Sequence, residues 1–96
     1  MSVIMVTYDL HKPDDKGYND LYAYLRTYDF RHPVESVWFL DTEKPPTVII
    51  REIIKILPYP EYDKIIVIRQ KKRGWATYNT PNLARWFKDL IRTWDP

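Results

Sequence analysis

The stretch VIMVTYD, residues 3–9, decides how this sequence folds. Six of its seven residues are apolar, β-branched or aromatic, and Asp9 then ends the run. A short and almost continuous apolar run of this kind is typical of a strand that is buried on both faces. We therefore expect the pair Tyr8-Asp9 at the carboxyl end of a central strand, where it is the best candidate for a functional site.

Length and composition limit the classes of protein to consider. The chain has 96 residues, enough for one domain, with a core over about residues 1–70 and a C-terminal extension over about 71–96. It contains no cysteine, which excludes disulfides and thiolate metal sites. No stretch approaches the roughly 20 apolar residues of a membrane helix, and the N-terminus lacks the features of a signal peptide. These observations predict a soluble cytoplasmic protein.

Hydrophobic periodicity places further elements along the chain. A helix is predicted from residue 18, and a second helix, opened by Pro45-Pro46, extends to residue 57, although residues 47–50 are also good strand material. The segment Arg31-His32-Pro33 breaks the first helical pattern. A strand over residues 34–40, bent or folded as a hairpin near Glu35-Ser36, is expected after it. Another strand buried on both faces is predicted over residues 63–69.

The C-terminal extension has its own pattern. Residues 75–78 are predicted to form a short edge strand. Thr80-Pro81 then combines a capping hydroxyl with proline at the first helical position, which predicts the start of a helix. The apolar residues that follow at helical spacing are Leu83, Trp86, Phe87, Leu90, Ile91 and Trp94.

This order of elements predicts an α+β fold, a ferredoxin-like βαββαβ sandwich with an additional C-terminal strand and helix. In such a domain both crossover helices cover the same face of the sheet. Because the first and last core strands are apolar on both faces, the second face must be covered by the C-terminal helix, by a partner subunit, or by both. We expect a two-fold homodimer, the simplest arrangement for so small a chain.

Three segments of the sequence together resemble a known family. They are Tyr8-Asp9, ESVWF at residues 35–39 and DKIIVI at residues 63–68. In this order they are similar to the CRISPR-associated Cas-two family, the small dimeric partners of the CRISPR integrase, some of which are metal-dependent nucleases. The related virulence-associated protein D ribonucleases share the fold. The resemblance covers about residues 3–70.

The resemblance implies roles for five residues. The family's catalytic and metal-linked aspartate corresponds to Asp9, and the tyrosine before it corresponds to Tyr8. Ser36 matches the serine of a Ser-Val-Phe segment, in which tryptophan replaces phenylalanine here. A basic residue before that serine corresponds to His32 or its neighbour Arg31, as a contact to nucleic acid. The arginines of the family's first helix have no clear match, and the C-terminal helix departs from the commonest family ending.

Mg²⁺ is the cofactor that the resemblance implies at Asp9. Mg²⁺ prefers oxygen ligands and is usually held by one or two carboxylates together with substrate phosphates. Across a two-fold axis, Asp9 from each subunit could supply two carboxylates, and the metal would orient the attacking water. The alternative is that Asp9 only turns the chain or caps a backbone amide. His11, two residues further on, is either a general base or a solvated loop histidine.

A basic turn formed by Lys71, Lys72 and Arg73 beside Trp75 is a candidate nucleic-acid contact. Such a cluster neutralises phosphates while the ring offers a surface on which a base can stack. The alternative is a solvated turn beside a core tryptophan. Further basic residues on the last predicted helix are Arg85, Lys88 and Arg92.

Function is expected to depend on these local patches, because 15 Lys and Arg against 13 Asp and Glu give a net charge of only +2. We expect a small homodimer that binds RNA or DNA, with Mg²⁺-dependent endonuclease or endoribonuclease activity at Asp9. A catalytically silent adaptor that binds nucleic acid or bridges protein partners is one alternative. An inhibitor or regulator that acts through protein–protein contacts is another. The low net charge favours these alternatives, whereas Tyr8-Asp9 favours the enzyme.

Overall fold

A four-stranded antiparallel sheet forms the centre of the molecule. The structure is a computed structural model, and it describes residues 2–71 and 74–89. The strands are β1 (Ser2–Asp9), β2 (Asp29–Val34), β3 (Val37–Thr42) and β4 (Lys64–Arg69), in the spatial order β2-β3-β1-β4. The helices are α1 (Asn19–Leu25), which follows a 3₁₀ turn at Lys16–Tyr18, α2 (Pro46–Ile54) and α3 (Pro81–Lys88). The predicted α+β class is confirmed, and β1 is central.

The first face of the sheet carries the larger core. Even-numbered residues of β1 point to this face, where α1 and α2 cover them. Pro46 opens α2, as predicted, because the first amides of a helix need no intrahelical partner. The buried residues of this cluster are Ile4, Val6, Tyr8, Tyr18, Leu21, Leu25, Trp38, Leu40, Ile49, Ile53 and Leu57.

The second face is covered in part by α3. Val3 is fully buried there against Leu83, Trp86 and Phe87, so the prediction that the C-terminal helix packs on this face is confirmed. Residues of β4 on the same face are not covered within the part of the chain that the structure describes. The exposed residues of β4 on this face include two isoleucines, Ile66 and Ile68.

The first helix ends before Arg31-His32-Pro33, as predicted, but no strand was expected at these residues and all three lie in β2. Within the described part of the chain, β2 is an edge strand that pairs with β3 alone, and the pairing shifts register between Arg31 and Val34. Proline is tolerated on an edge strand because its missing N–H need not contribute to the ladder. The predicted turn near Glu35-Ser36 is confirmed between β2 and β3.

Two predictions about the C-terminal extension were also wrong. Residues 75–78 form no strand; Trp75 packs on Phe87 of α3, and directly after the segment Asn79 adopts a left-handed φ of 59°, where extended backbone cannot continue. Helix α3 begins at Pro81 as predicted, but the Thr80 side chain does not cap it. The predicted helical positions Leu90, Ile91, Arg92 and Trp94 lie outside the described residues.

None of the helices within residues 2–71 and 74–89 is long and apolar enough to cross a membrane.

Replacing Phe87 with alanine should test whether α3 belongs to the cooperative core. We expect the free energy of unfolding to fall by about 3–5 kcal/mol, because a buried aromatic ring is lost and a cavity remains. Urea denaturation measures the change. Ile54→Ala is the matched control, since Ile54 is 49% exposed and its truncation should cost much less. Equal losses in the two variants would mean that α3 is only loosely attached.

Candidate functional site

Tyr8 and Asp9 do not form one site, because they point to opposite faces of the sheet. Tyr8 is buried in the core of the first face. Its hydroxyl donates to the Glu35 carbonyl oxygen at 2.7 Å and accepts from Trp38 Nε1 at 2.9 Å. Burial is the main cause that raises the pKa of Tyr8, so the phenol stays protonated at neutral pH. These contacts make Tyr8 an anchor for the turn that joins β2 and β3.

Asp9 lies exposed on the second face, at the last position of β1. Lys64 of β4 is directly opposite it in the antiparallel register. The Asp9 carboxylate makes no hydrogen bond and no ion pair with the described residues. The alternative reading of Asp9 as a cap for a backbone amide therefore finds no such contact in the described part of the chain, and the carboxylate faces solvent.

Ser36 is exposed in the turn between β2 and β3. Its carbonyl oxygen accepts a hydrogen bond from the Tyr8 amide at 3.2 Å, which places the Ser36 backbone beside the end of β1. The structure thus brings the Tyr8 and Ser36 backbones together, while the Tyr8 side chain is buried on the first face.

On the first face, the exposed side chain of His32 lies over the buried ring of Trp38. The His32 ring stacks on Trp38 with a centroid distance of 3.8 Å, and its Nε2 lies 2.8 Å from the Glu35 carbonyl oxygen. A carbonyl oxygen only accepts, so Nε2 carries the proton and Nδ1 is the nitrogen left for another partner. The guanidinium of Arg26 lies 6.0 Å from the centroid of the same Trp38 ring.

Two adjoining grooves lie between β2 and α3. The first has a volume of about 310 Å³ and is lined by Arg31, His32, Pro33 and residues 79–83. The second, of about 410 Å³, shares Arg31 and Asn82 with the first and adds Arg85, Trp86 and Asp89. The Arg31 guanidinium lies 5.7 Å from the Trp86 ring centroid. This cation–π contact holds the Arg31 side chain over α3.

The sequence did not predict these grooves. Arg85 stood out as basic, but its position beside Arg31 depends on the packing of α3 against β2, and no local signal reports that packing. The packing of α3 against β2 includes a hydrogen bond in which Trp86 Nε1 donates to Asp29 Oδ1 at 3.1 Å.

Lys71, the one residue of the basic turn that the structure describes, lies away from these grooves. Lys71 is exposed just beyond β4, whereas Arg31 is on β2, at the opposite edge of the sheet. Three strand spacings, about 14 Å, separate the two edges. Lys72 and Arg73 lie outside the described residues. Trp75 packs on Phe87 at a centroid distance of 4.7 Å, which is the arrangement expected of a core tryptophan rather than of a free stacking surface.

Asp63 joins the loop after β1 to the loop before β4. Its Oδ1 accepts from the His11 amide at 2.8 Å and from the Tyr18 hydroxyl at 2.5 Å, and its Oδ2 accepts from the Tyr59 amide at 3.3 Å. Burial and the hydrogen bond to Asp63 raise the pKa of Tyr18 to about 12, so Tyr18 remains a donor at neutral pH. The His11 ring stacks on Tyr62, and these contacts hold the chain directly after Asp9 in place.

The described residues offer no group of three ligands for a metal ion at Asp9. Residues 2–71 and 74–89 contain no group of three or more His, Cys, Asp or Glu side chains that could hold a metal ion. A metal at Asp9 would therefore take its remaining ligands from water, from substrate phosphates or from another subunit.

Comparison with known proteins adds no assignment. No protein-family model, no curated protein and no solved structure matches this chain.

Tyr8→Phe tests whether the Tyr8 hydroxyl stabilises the folded protein. The free energy of unfolding should fall by about 1–3 kcal/mol, because the buried Trp38 N–H loses its acceptor. Thermal and urea denaturation measure the loss. Tyr62→Phe is the control, since Tyr62 is largely exposed and its hydroxyl should contribute little. A Tyr8→Phe variant as stable as the control would contradict the anchoring role.

Proposed function

We propose that this chain is a ferredoxin-like protein that acts as a homodimer and binds RNA or DNA, as its resemblance to the CRISPR-associated Cas-two family implies. The strand order β2-β3-β1-β4 is compatible with that fold, and α1 and α2 cover the first face, as its crossover helices would. The observation that carries the binding proposal is the pair of grooves between β2 and α3. Arg31 lines both grooves, with His32 beside one and Arg85 beside the other.

These residues suit contacts to a phosphate backbone. Guanidinium groups bind phosphate oxygens through paired hydrogen bonds, and a histidine Nδ1 left free by its neighbour can make one further contact. Arg31 and Arg85 are exposed, so an entering strand would not have to displace a core side chain. Asp89 lines the second groove and limits the positive charge there, which favours a few specific phosphate contacts over a broad electrostatic surface.

The homodimer is supported by the uncovered part of the second face. The large hydrophobic residues of the chain that are exposed include Ile66 and Ile68, side by side on β4. Exposed apolar residues grouped on one face are typical of an interaction surface.

Asp9 is proposed as the Mg²⁺-linked residue of a nuclease. Its carboxylate is exposed and has no competing hydrogen bond within the described residues. One carboxylate together with substrate phosphates is a common way in which proteins hold Mg²⁺.

A catalytically silent adaptor is the second candidate function. It is favoured because Asp9 belongs to no group of three or more His, Cys, Asp or Glu side chains that could hold a metal ion among the described residues. The two candidates share the nucleic-acid grooves and differ only in whether Asp9 supports cleavage.

Asp9→Asn should remove Mg²⁺-dependent cleavage of RNA or DNA while leaving nucleic-acid affinity unchanged. The amide has the size of the carboxylate but lacks the charge that binds the ion. The free energy of unfolding should change by less than about 0.5 kcal/mol, since the carboxylate makes no hydrogen bond to the described residues. A cleavage assay and a thermal melt measure both effects.

Asp20→Asn, an exposed carboxylate on α1, serves as the control and should retain full cleavage. Cleavage that survives Asp9→Asn would discard the metal role of Asp9. A wild-type chain that binds nucleic acid without cleaving it in Mg²⁺ would establish the silent adaptor.

Arg31→Ala combined with Arg85→Ala should weaken binding to nucleic acid and flatten its dependence on salt. Each lost phosphate contact should lower the slope of log K against log salt by about 0.7–0.9. Binding titrations at several salt concentrations measure the slope. Lys55→Ala, an exposed cation at the end of α2, should leave the slope unchanged. A slope that falls equally in the control would show that binding follows net charge and not the grooves.

A further inference from the structure

The two edges of the sheet are protected to very different degrees. The β2 edge carries Pro33 and a shift of register, and α3 packs beside it through Trp86 and Asp29. Proline and irregular pairing are the usual means by which proteins prevent an edge strand from joining another sheet. The β4 edge has neither feature, and within the described residues β4 pairs with β1 alone.

The hydrogen bonds of β1 show which groups of β4 point outward. Gln70 N donates to Val3 O at 2.9 Å, so these opposite residues form a hydrogen-bonded pair. Hydrogen-bonded pairs recur at every second residue along an antiparallel ladder. The backbone N–H and C=O groups of Ile66 and Ile68 therefore also point toward β1. The backbone N–H and C=O groups of Ile65, Val67 and Arg69 therefore point away from the sheet, and they have no hydrogen-bond partner among the described residues.

The face of β4 next to these open groups is apolar and uncovered. Ile66 is 55% exposed and Ile68 is 45% exposed. Basic residues, Lys64 and Arg69, occupy the two ends of the strand. An added strand would thus have to place apolar residues beside the isoleucines and avoid a positive charge at either end.

We propose that β4 pairs antiparallel with β4 of a second copy, centred on Val67, so that a continuous sheet runs through both chains. This proposal rests on the homodimer proposed above and specifies its interface. Val67 lies opposite Val67 of the partner subunit in this register, and Ile66 lies opposite Ile68 of the partner subunit. The outward N–H and C=O groups are then paired across the two-fold axis.

The two exposed isoleucines select this register over its neighbours. With Val67 at the centre, Ile66 and Ile68 lie opposite each other, and Lys64 lies opposite a glutamine, so no two like charges oppose each other. A centre at Ile66 would set Ile68 opposite Lys64, and a centre at Ile68 would set Ile66 opposite Gln70, so one exposed isoleucine would face a polar residue in each case. A centre at Arg69 would set two arginines directly opposite, which is destabilising. Only the Val67 register aligns the two exposed isoleucines with each other.

This register also determines where the two Asp9 carboxylates lie. About three strand spacings of ~4.8 Å and about six residues of ~3.4 Å along the strand separate them, a distance of about 25 Å. Two Asp9 side chains so far apart do not share one metal ion, contrary to the expectation drawn from the two-fold axis. Any metal at Asp9 is then held by one protomer together with substrate phosphates.

Paired cysteines test the register directly, because the chain contains no cysteine of its own. We consider a variant that carries both Ile66→Cys and Ile68→Cys. In the Val67 register the thiol at position 66 of one copy lies opposite the thiol at position 68 of the other copy, within the Cα distance of a disulfide. After mild oxidation most of the protein should migrate as a covalent dimer on a non-reducing gel. Each single variant places its thiols diagonally at about 8 Å, too far for a disulfide, and should stay mainly monomeric on the gel.

Sedimentation of the wild-type chain separates failure of the register from failure of the homodimer. A wild-type dimer whose double variant gives no covalent dimer, or whose single variants cross-link as well as the double variant, would overturn the β4 pairing and retain the homodimer. A wild-type monomer at all accessible concentrations would overturn both.

A charge pair provides a second test that does not depend on oxidation. Ile66→Lys alone should weaken dimerisation at least tenfold, because two lysines enter an apolar interface. Adding Ile68→Glu should restore most of the lost affinity, since each glutamate then lies opposite a lysine of the other copy. Equal weakening in the single and the double variant would contradict the proposed register.

Discussion

The alternation of side chains along β1 is the constraint on which the rest of the structure depends. A strand presents successive residues to opposite faces, so a central strand that is apolar at nearly every position requires a cover on both sides. Helices α1 and α2 bury the even-numbered residues, and α3 buries Val3 on the other side. Among the described residues, no further helix or strand covers the rest of the second face, where Ile66 and Ile68 are exposed. We infer that the partner subunit binds beside this uncovered part.

The same alternation separates the two residues that first suggested a site. Tyr8 and Asp9 are neighbours in sequence. The Tyr8 hydroxyl is held in the core by hydrogen bonds to Trp38 and Glu35, whereas the Asp9 side chain faces solvent on the second face. Chemistry at Asp9 therefore cannot use the Tyr8 phenol. The basic grooves lie between β2 and α3, and binding and cleavage would involve different parts of the surface.

Local signals predicted much of the fold. The apolar runs of β1 and β4 and the prolines that open α2 and α3 are signals that act within a few residues, and the positions of these strands and helix starts were predicted correctly. The prediction that β4 is buried on both faces was wrong, because Ile66 and Ile68 are exposed among the described residues. Strand β2 was missed because Pro33 normally breaks regular structure, and only its position at a sheet edge makes it acceptable. The position of Asp9 at the end of β1 was also predicted correctly.

The remaining features depend on contacts between distant parts of the chain. The link from Asp63 to Tyr18 spans 45 residues and the link from Trp86 to Asp29 spans 57 residues. No periodicity or motif reports such pairings, so neither the grooves beside Arg31 nor the anchored loops after Asp9 could be predicted from the sequence. The family resemblance named candidate residues but could not show that they lie on different faces.

Hydrogen exchange of individual β4 amides, followed as the protein is diluted, tests the central claim that a second copy completes the sheet. The amides of Ile66 and Ile68 bond to β1 within one chain and should stay protected at every concentration. The amides of Ile65, Val67 and Arg69 should be protected only at concentrations where the dimer is populated, and should exchange rapidly on dilution. Rapid exchange of these three amides in a sample that sediments as a dimer would contradict the account.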